Sequence, residues 1–564
     1  MWSFNLSFLA LLFAGILSSR AQNTANNTQL LTWWHDTGVV NTDSTIADGD
    51  VRMSGNYSIQ VATGTGDGLD FYDSFVYNVI PANGMSNELQ YTSGYSQTQS
   101  WTSFLYTSEV TVKITRNGTS ASVDDVVIRP TTPNFDIFAA EDSIFISVPY
   151  SSSGFKFSVE FKDDLITLSP SEAMQPQNVL LIFASPFEDS SLVPSADDTT
   201  EAPSPGRVLG LNTTSASTII FYPGVYYFTG TDHMNLSDSV SWVYFAPGAY
   251  VKGAVEFYNT GSEVKATGHG VLSGEQYVWY ADPDEGYQTA SGANNNGLRM
   301  WSGNVGLNSQ TFLLNGPTMA APPFNSMDWN GDDLNLVTTM ATDYKQVGSF
   351  YGQTDGLEMY PGSVVQHIFY HTNDDTIKMY YSNVLAENII VWKEATAPIV
   401  QFGWTPRSTE NVTINNVTVI HQAYQGAASN PGLIGSDNNY LYAPDGLSSD
   451  HNTSNSNLTT QNIVWSNFRA EGPSACLFRI YSLENLANIR IENVWIEEFE
   501  PSSLNTTQSW LPAFYDYNNG KQVTVSDFVI SGFVVGNTTI DSGNAATVGM
   551  IDIDPVYESD VSYE

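Results

Sequence analysis

Between Leu30 and about Ser185, apolar and polar positions alternate with a period of two in short bursts. Glu109-Val110-Thr111-Val112-Lys113-Ile114 and Phe155-Lys156-Phe157-Ser158-Val159-Glu160-Phe161 are examples, and Gly, Asn, Asp and Ser separate them. This pattern predicts an antiparallel β-sandwich over residues 22–200. An acidic, proline-rich stretch from Asp189 through Pro194, Asp197-Asp198, Pro203 and Pro205 reads as a linker. After Gly206 the phrasing changes. Short apolar strands recur behind an asparagine: Asn388-Ile389-Ile390-Val391, Asn411-Val412-Thr413-Ile414, Asn462-Ile463-Val464-Trp465 and Asn488-Ile489-Arg490-Ile491. Two of the steps are 411 − 388 = 23 and 488 − 462 = 26 residues; the gap of 462 − 411 = 51 has room for two such steps and a loop. Self-similarity at this period means a solenoid, and strand residues in place of helical heptads make it a β-solenoid. The four asparagines are expected at equivalent turns, where Asn tolerates the left-handed conformation and stacks on the Asn one coil away. The fold class is therefore all-β, an N-terminal β-sandwich followed by a right-handed parallel β-helix over residues 201–564.

The first residues bear on compartment. Phe8 to Leu17 is an apolar run too short to span a bilayer, and Ser19-Arg20-Ala21 follows it with small residues flanking a cut. Residues 1–21 read as a cleaved secretory signal, and the mature chain is expected outside the cell. Asn26, Asn56, Asn117, Asn212, Asn235, Asn411, Asn416, Asn452, Asn457, Asn505 and Asn537 each open an Asn-X-Ser/Thr sequon. So many sequons behind a signal predict N-linked glycans at exposed edges and turns. Cys476 is the single cysteine, so no intrachain disulfide forms, and its apolar surroundings predict a buried, inert thiol. Stability must come from a large buried core, for which the length is ample.

Nineteen Lys+Arg stand against 59 Asp+Glu, a formal net charge of −40. A field of that sign repels nucleic acid, anionic lipid and polyanionic substrates and is compatible with a neutral one. Aromatic residues reach 13%, which argues against disorder.

Two segments carry candidate chemistry. Asp355-Gly356-Leu357-Glu358-Met359-Tyr360 and Asn373-Asp374-Asp375-Thr376-Ile377-Lys378-Met379-Tyr380 each place acidic residues before a strand that ends in Met-Tyr. The two Met-Tyr pairs are 379 − 359 = 20 residues apart, about one coil, so the segments stack roughly 4.8 Å from each other. Asp355, Asp374 and Asp375 then meet on one face. Three carboxylates so close cannot all ionise cheaply, and a raised pKa suits a general acid. Adjacent Asp374 and Asp375 would point to opposite faces of a regular strand, so the chain must turn there, as Asn373 permits. A calcium cage would need further oxygen ligands, so no metal or cofactor is expected.

The stretch Asp355–Ser382, the segment Gln401-Phe402-Gly403-Trp404-Thr405-Pro406-Arg407 and the segment 439–449, opening Asn439-Tyr440-Leu441-Tyr442, closely resemble glycoside hydrolase family 49. Phe245 to Gly253 and Thr267 to Glu275 likewise resemble early coils of pectinase-type β-helices. The resemblance covers essentially the whole mature chain. It implies an inverting endo-glycosidase in which Asp374 protonates the glycosidic oxygen while Asp355 and Asp375 position and deprotonate water. Glu275, Glu358, Lys378, Trp404 and Tyr440 are candidate substrate-binding residues; His371 and His421 fall in similar segments. Trp404 is a candidate stacking platform, and Trp33-Trp34 either line the cleft from the sandwich side or pack in the core. The implied partner is a neutral α-glucan: pullulan or panose-type oligosaccharides, cut at α-1,4 linkages to give isopanose. The alternative is dextran, cut at α-1,6 linkages. A polygalacturonase shares the aspartate trio but needs Lys or Arg clamps for uronates, and this chain has few. A non-catalytic carbohydrate-binding β-helix would have no need of carboxylates in matched phase. No nucleic acid, membrane or obligate partner is expected, and the chain reads as a monomer.

Overall fold

The computed structural model describes residues 23–564 except 43, 82–96, 119–121, 168–173, 196, 198, 230–231, 292–295, 395, 424–431, 437–453 and 501–507. The signal segment, Tyr440, Asn452 and Asn505 thus lie outside the described residues. Among the described residues there is no α-helix, only short 3-10 turns, and no helix long and apolar enough to cross a membrane.

Two sheets form the N-terminal sandwich. One runs Gly38–Val40, Val51–Met53, Tyr77–Val79, Thr98–Tyr106, Asn178–Pro186, Phe155–Phe161 and Val126–Arg129, with Leu30–Leu31 also on Thr98–Tyr106. The other runs Asp136–Ala140, Ser143–Val148, Val110–Arg116, Tyr57–Thr63 and Tyr72–Ser74. Ile59, Val61, Val112, Ile144, Ile146, Val159, Leu180 and Ile182 interleave between them. The sandwich is not wholly antiparallel as expected: Asn178–Pro186 pairs parallel with Thr98–Tyr106, and Gly38–Val40 with Val51–Met53. The physical reason lies in Val179 to Ala184, an unbroken apolar run. Leu180 and Ile182 face the sandwich core, while Val179, Leu181 and Phe183 face Val347, Phe350, Phe369 and Trp392 of the later domain. A central strand buried on both faces loses its alternation. The two domains therefore share a continuous apolar seam.

From Thr200–Glu201 onward the chain winds a parallel β-helix. Its longest sheet has 21 strands and runs from Thr200–Glu201 to Val561–Tyr563. A four-stranded sheet (Met234–Asn235 to Met327–Asn330) flanks the early coils, and a six-stranded sheet (Ile377–Lys378 to Ile551–Ile553) flanks the later ones. The expected linker is only partly one. Asp189 caps the turn Ser190–Leu192, but Thr200–Glu201 already pairs with Thr218–Phe221 as the first rung.

The asparagine ladder exists, in a different register from the expected one. Asn411 donates to Asn383 (3.1 Å), Asn462 to Asn411 (3.2 Å) and Asn488 to Asn462 (2.8 Å). Asn388 belongs to a second ladder, where it accepts from Asn416 (2.7 Å), and Asn493 donates to Asn467 at 3.3 Å. Strand Leu385–Lys393 pairs with Thr409–Gln422 at an offset of 28 (Leu385 with Thr413), which puts Asn383, not Asn388, level with Asn411. All of these asparagines hold φ between 53° and 61°. The 51-residue gap is a single coil, since Val412 pairs directly with Ile463.

Candidate active site

Strand Val364–Thr372 ends, the chain bends through Asn373, Asp374 and Asp375, and it resumes as Ile377–Lys378. Asn373 fixes the bend. Its side-chain nitrogen donates to Phe350 O (2.9 Å) and its side-chain oxygen accepts from Thr396 N–H (3.3 Å). The preceding coil lies directly against it: Gly356 N–H donates to Asp375 O (2.9 Å) and Gln353 N–H to Asp374 Oδ2 (3.1 Å). Only glycine fits at 356, because a Cβ there would stand 2.0 Å from Thr376 O. The register is thus 375 − 356 = 19 residues, which sets Asp355 level with Asp374. The structure brings Asp355, Asp374 and Asp375 together, as the spacing predicts.

The three carboxylates have different neighbours. Asp375 is buried and takes three donors: Tyr380 O–H (2.6 Å), Trp404 Nε1–H (2.9 Å) and Gln401 Nε2–H (2.8 Å). Asp355 is buried, with the Lys378 ammonium 2.8 Å from Oδ2; the Asn325 amide nitrogen, turned toward it, reaches Oδ1 at 3.1 Å. Asp374 is the most exposed of the three, and it accepts from main-chain N–H groups, those of Gln353 and of Asp375 (3.0 Å). Burial, then Asp355 and Asp375, push Asp374 well above the usual carboxylate range. Burial also raises Asp355, opposed by Lys378. Asp374 is thus the carboxyl whose protonated form its surroundings favour.

Lys378 bridges Asp355 and Glu358. Burial alone would lower its pKa, but Asp355, Glu358 and Asp375 raise it, so it stays a cation. Burial pushes Glu358 up to about 7 against that same lysine. A carboxyl that keeps its proton beside one paired with a cation can offer a bound substrate both an acid and a base.

Trp404 is partly exposed, and its indole N–H also reaches Tyr380 Oη (2.6 Å), so it orients Asp375 as well as offering a ring face. Glu275 lies away from the trio. Lys252 (2.9 Å) and Tyr250 O–H (2.8 Å) hold it in a cavity of about 400 Å³ that Arg52 and Val79 of the sandwich, Phe350 and Tyr351 also line. His371 is fully buried: Ser349 N–H donates to its Nδ1 (3.0 Å), which leaves Nε2–H to donate to Glu394 (2.8 Å). His421 bonds Glu160 of the sandwich (2.8 Å) and fastens the two domains. Trp33 and Trp34 pack in the seam between the domains. Burial pushes the Cys476 thiol up to about 12, as an inert thiol requires. Among the described residues, no group of three or more His, Cys, Asp or Glu is arranged to hold a metal ion; lysine ammonium groups supply the positive charge of the site.

Sequence reasoning missed Tyr380 and Gln401 as partners of Asp375, although both lie in quoted segments. It also missed Lys393, fully buried beneath the trio, whose ammonium donates to Asp374 O. A signal was present: five of the nine lysines (Lys156, Lys252, Lys345, Lys378 and Lys393) are buried in a chain so poor in cations.

A parallel β-helix carrying this acid–base cluster belongs to the class of polysaccharide-cleaving hydrolases, and comparison with known proteins identifies the family. Residues 20–187 match the glycosyl hydrolase family 49 N-terminal Ig-like domain and residues 448–564 the glycosyl hydrolase family 49 domain. Residues 392–424 match an isopullulanase β-solenoid repeat and residues 323–356 a β-solenoid repeat from dextranase. The chain is 66% identical to isopullulanase of Aspergillus niger over 99% of both chains, and 37% identical to dextranase of Talaromyces minioluteus over 95% of this chain and 93% of that one. The solved structure of Dex49A from Penicillium minioluteum superposes with a TM-score of 0.87 at 33% identity, covering 97% of this chain and all of the other. The chain belongs to glycoside hydrolase family 49 and is a glycoside hydrolase.

Proposed function

We propose that this enzyme is an isopullulanase, cutting α-1,4 linkages of pullulan to release isopanose. The observation that carries the reading is the 66% identity over both full lengths with an isopullulanase, against 37% with a dextranase. The charge supports a neutral substrate: with a net −40 the surface repels a polyuronate.

Asp374 acts as general acid and gives its proton to the glycosidic oxygen. Water attacks the anomeric carbon from the opposite face, and its proton passes to Asp355 or Asp375. The C–O bond to the leaving glucan breaks, and the new reducing end is the β-anomer. The hydrogen bonds support this division, since Lys378 braces Asp355 and three donors brace Asp375. Glu358, through Lys378, and the ring of Trp404 line the glycone side, and Tyr440 is kept as a substrate contact. Glu275 sits in the cavity between the domains, where a more distant part of the chain would lie. Isopanose release leaves an isomaltosyl unit on the glycone side of the cut, as dextran cleavage also does. One catalytic set therefore serves either polymer, and the choice falls on the leaving side. There the two polymers differ: pullulan offers the O4 of the next glucose as the leaving oxygen, dextran the O6.

The enzyme acts outside the cell after loss of residues 1–21 and carries N-linked glycans. Asn26, Asn117, Asn212, Asn235, Asn411, Asn416, Asn457 and Asn537 are exposed as acceptors should be; Asn56 is half-buried against Asn178 (2.7 Å) and is the poorest candidate. The deciding experiment is product analysis on both polymers. Isopanose from pullulan with no isomaltose from dextran supports the proposal; the reverse makes the enzyme a dextranase with the same three aspartates.

A further inference from the structure

We propose that Lys393 is a positioning residue for the acid step: it clamps the main chain of Asp374 so that Asp374 and Asp375 both enter the cleft, and it is the cation beneath them. The inference rests on the reading of Asp374 as the general acid.

Two adjacent residues of a strand point to opposite faces. Here the chain turns between Thr372 and Ile377, and that turn redirects two carbonyls. The Asp375 carbonyl accepts from Gly356 N–H of the preceding coil. The Asp374 carbonyl points the other way, into the protein, and accepts from the Lys393 ammonium and, at 3.3 Å, from Thr376 Oγ1–H. Lys393 is placed for this by register. It ends strand Leu385–Lys393 and pairs with Thr372, one coil beyond the turn. An inward carbonyl left without a donor would be costly, so a long buried donor at this position holds the turn closed.

Charge gives the second strand of the argument. The carboxyls around the turn are Asp355, Asp374, Asp375, Glu358 and Glu394, and Tyr380 O–H faces Asp375. His371 faces Glu394 as the Nε2–H tautomer. Against them stand two lysines. The Lys378 ammonium is committed to Asp355 and Glu358. Lys393 is the cation that acts on Asp374, and it shares Asp375 with Lys378. Burial brings Lys393 down to about 8, opposed by Asp374, Asp375 and Asp355.

The test uses the full-length enzyme on whichever glucan it hydrolyses, with kcat and KM measured across pH for Lys393→Gln, Lys393→Met and Lys393→Arg. Gln keeps a donor and drops the charge, Met drops both, and Arg keeps the charge. Loss of the cation makes every nearby carboxyl harder to ionise. Both limbs of the kcat profile should therefore move to higher pH in Gln and Met, by about half a unit or more, with KM within about twofold. Met should lose about 10–100-fold in kcat and Gln less. Arg should keep the parental limbs. If Met fails to fold, Gln and Arg carry the test. A Gln profile that superimposes on the parent, or an Arg profile displaced like Met, overturns the proposal. The acid reading fails separately: near-normal turnover of Asp374→Asn removes it whatever Lys393 does.

Discussion

The late coils and the catalytic coils belong to one β-helix but are built under opposite rules. Strands Thr409–Gln422, Thr459–Ser474 and Asn485–Phe499 run 14, 16 and 15 residues and stack nearly unbroken. Each bends at two left-handed asparagines whose amides bond coil to coil, and inward-pointing Val412, Ile463 and Ile489 repeat in register. In the catalytic coils the strand Ile377–Lys378 has two residues, and the turn before it carries buried charge in place of an amide ladder. The ladders satisfy themselves with neighbours of their own kind. The catalytic turn is held by unlike partners: Asn373 within it, Thr354 Oγ1, which accepts from Asn373 N–H (3.2 Å), and Lys393 on the Asp374 carbonyl. Regular stacking supplies a rigid base, and departures from regularity concentrate where the chemistry is.

Perturbing the catalytic turn should cost turnover and spare the fold; perturbing a ladder should do the reverse. The largest effects belong to Asp374→Asn, Asp355→Asn and Asp375→Asn. Each should lower kcat by about 10²–10⁴-fold or more, with thermal unfolding close to the parent, since the change is nearly isosteric. Turnover within a few-fold of the parent in any one variant removes that residue from the mechanism. Next comes Tyr380→Phe, which deletes the 2.6 Å bond to Asp375. A hydrogen bond to a charged group contributes about 1.5–3 kcal/mol, so kcat should fall about 10–100-fold with KM little changed.

A smaller effect is expected in the ladder. Asn462→Ala removes a bond to Asn411 and one from Asn488 and leaves a Cβ residue at φ 56°. Denaturant unfolding should show a loss of about 2–3 kcal/mol with parental kcat, and Asn462→Gly should recover about half, because glycine accepts the left-handed backbone. Equal losses for Ala and Gly would mean that conformation contributes nothing there.

The smallest effect is the dependence of stability on pH. Burial raises Glu188 to about 7, Glu358 to about 7 and Glu484 to about 8 from an ordinary 4.5. Between about pH 4.5 and 8 the folded chain thus binds more protons than the unfolded chain, so this contribution is present at low pH and is lost as pH rises through those values. The unfolding temperature should be higher at pH 5 than at pH 8 by several degrees. Glu484→Gln, which cannot titrate, should flatten that slope.

Much of this was legible in the sequence, for reasons that differ by region. The repeated Asn-plus-apolar phrasing fixed the solenoid, because every coil must solve the same turn problem with the same residue. Its register was misjudged at Asn388, since each coil holds two asparagines five residues apart and spacing alone cannot say which aligns with which. The aspartate trio was visible because its members recur in phase. Lys393 was not, because its role depends on where a long side chain reaches across coils. The seam between the domains hid in Val179 to Ala184, where an unbroken apolar run signalled burial on both faces without naming the second partner.

In the proposed mechanism Asp374 delivers the proton to the leaving oxygen while Asp355 and Asp375 activate water. Asp374→Asn assayed on pullulan and on α-isomaltosyl fluoride side by side tests it most directly, because fluoride leaves with little help from an acid. The account predicts a loss of about 10³-fold or more on pullulan and a rate within about tenfold of the parent on the fluoride. Equal losses on both substrates would contradict it and move the acid to another residue.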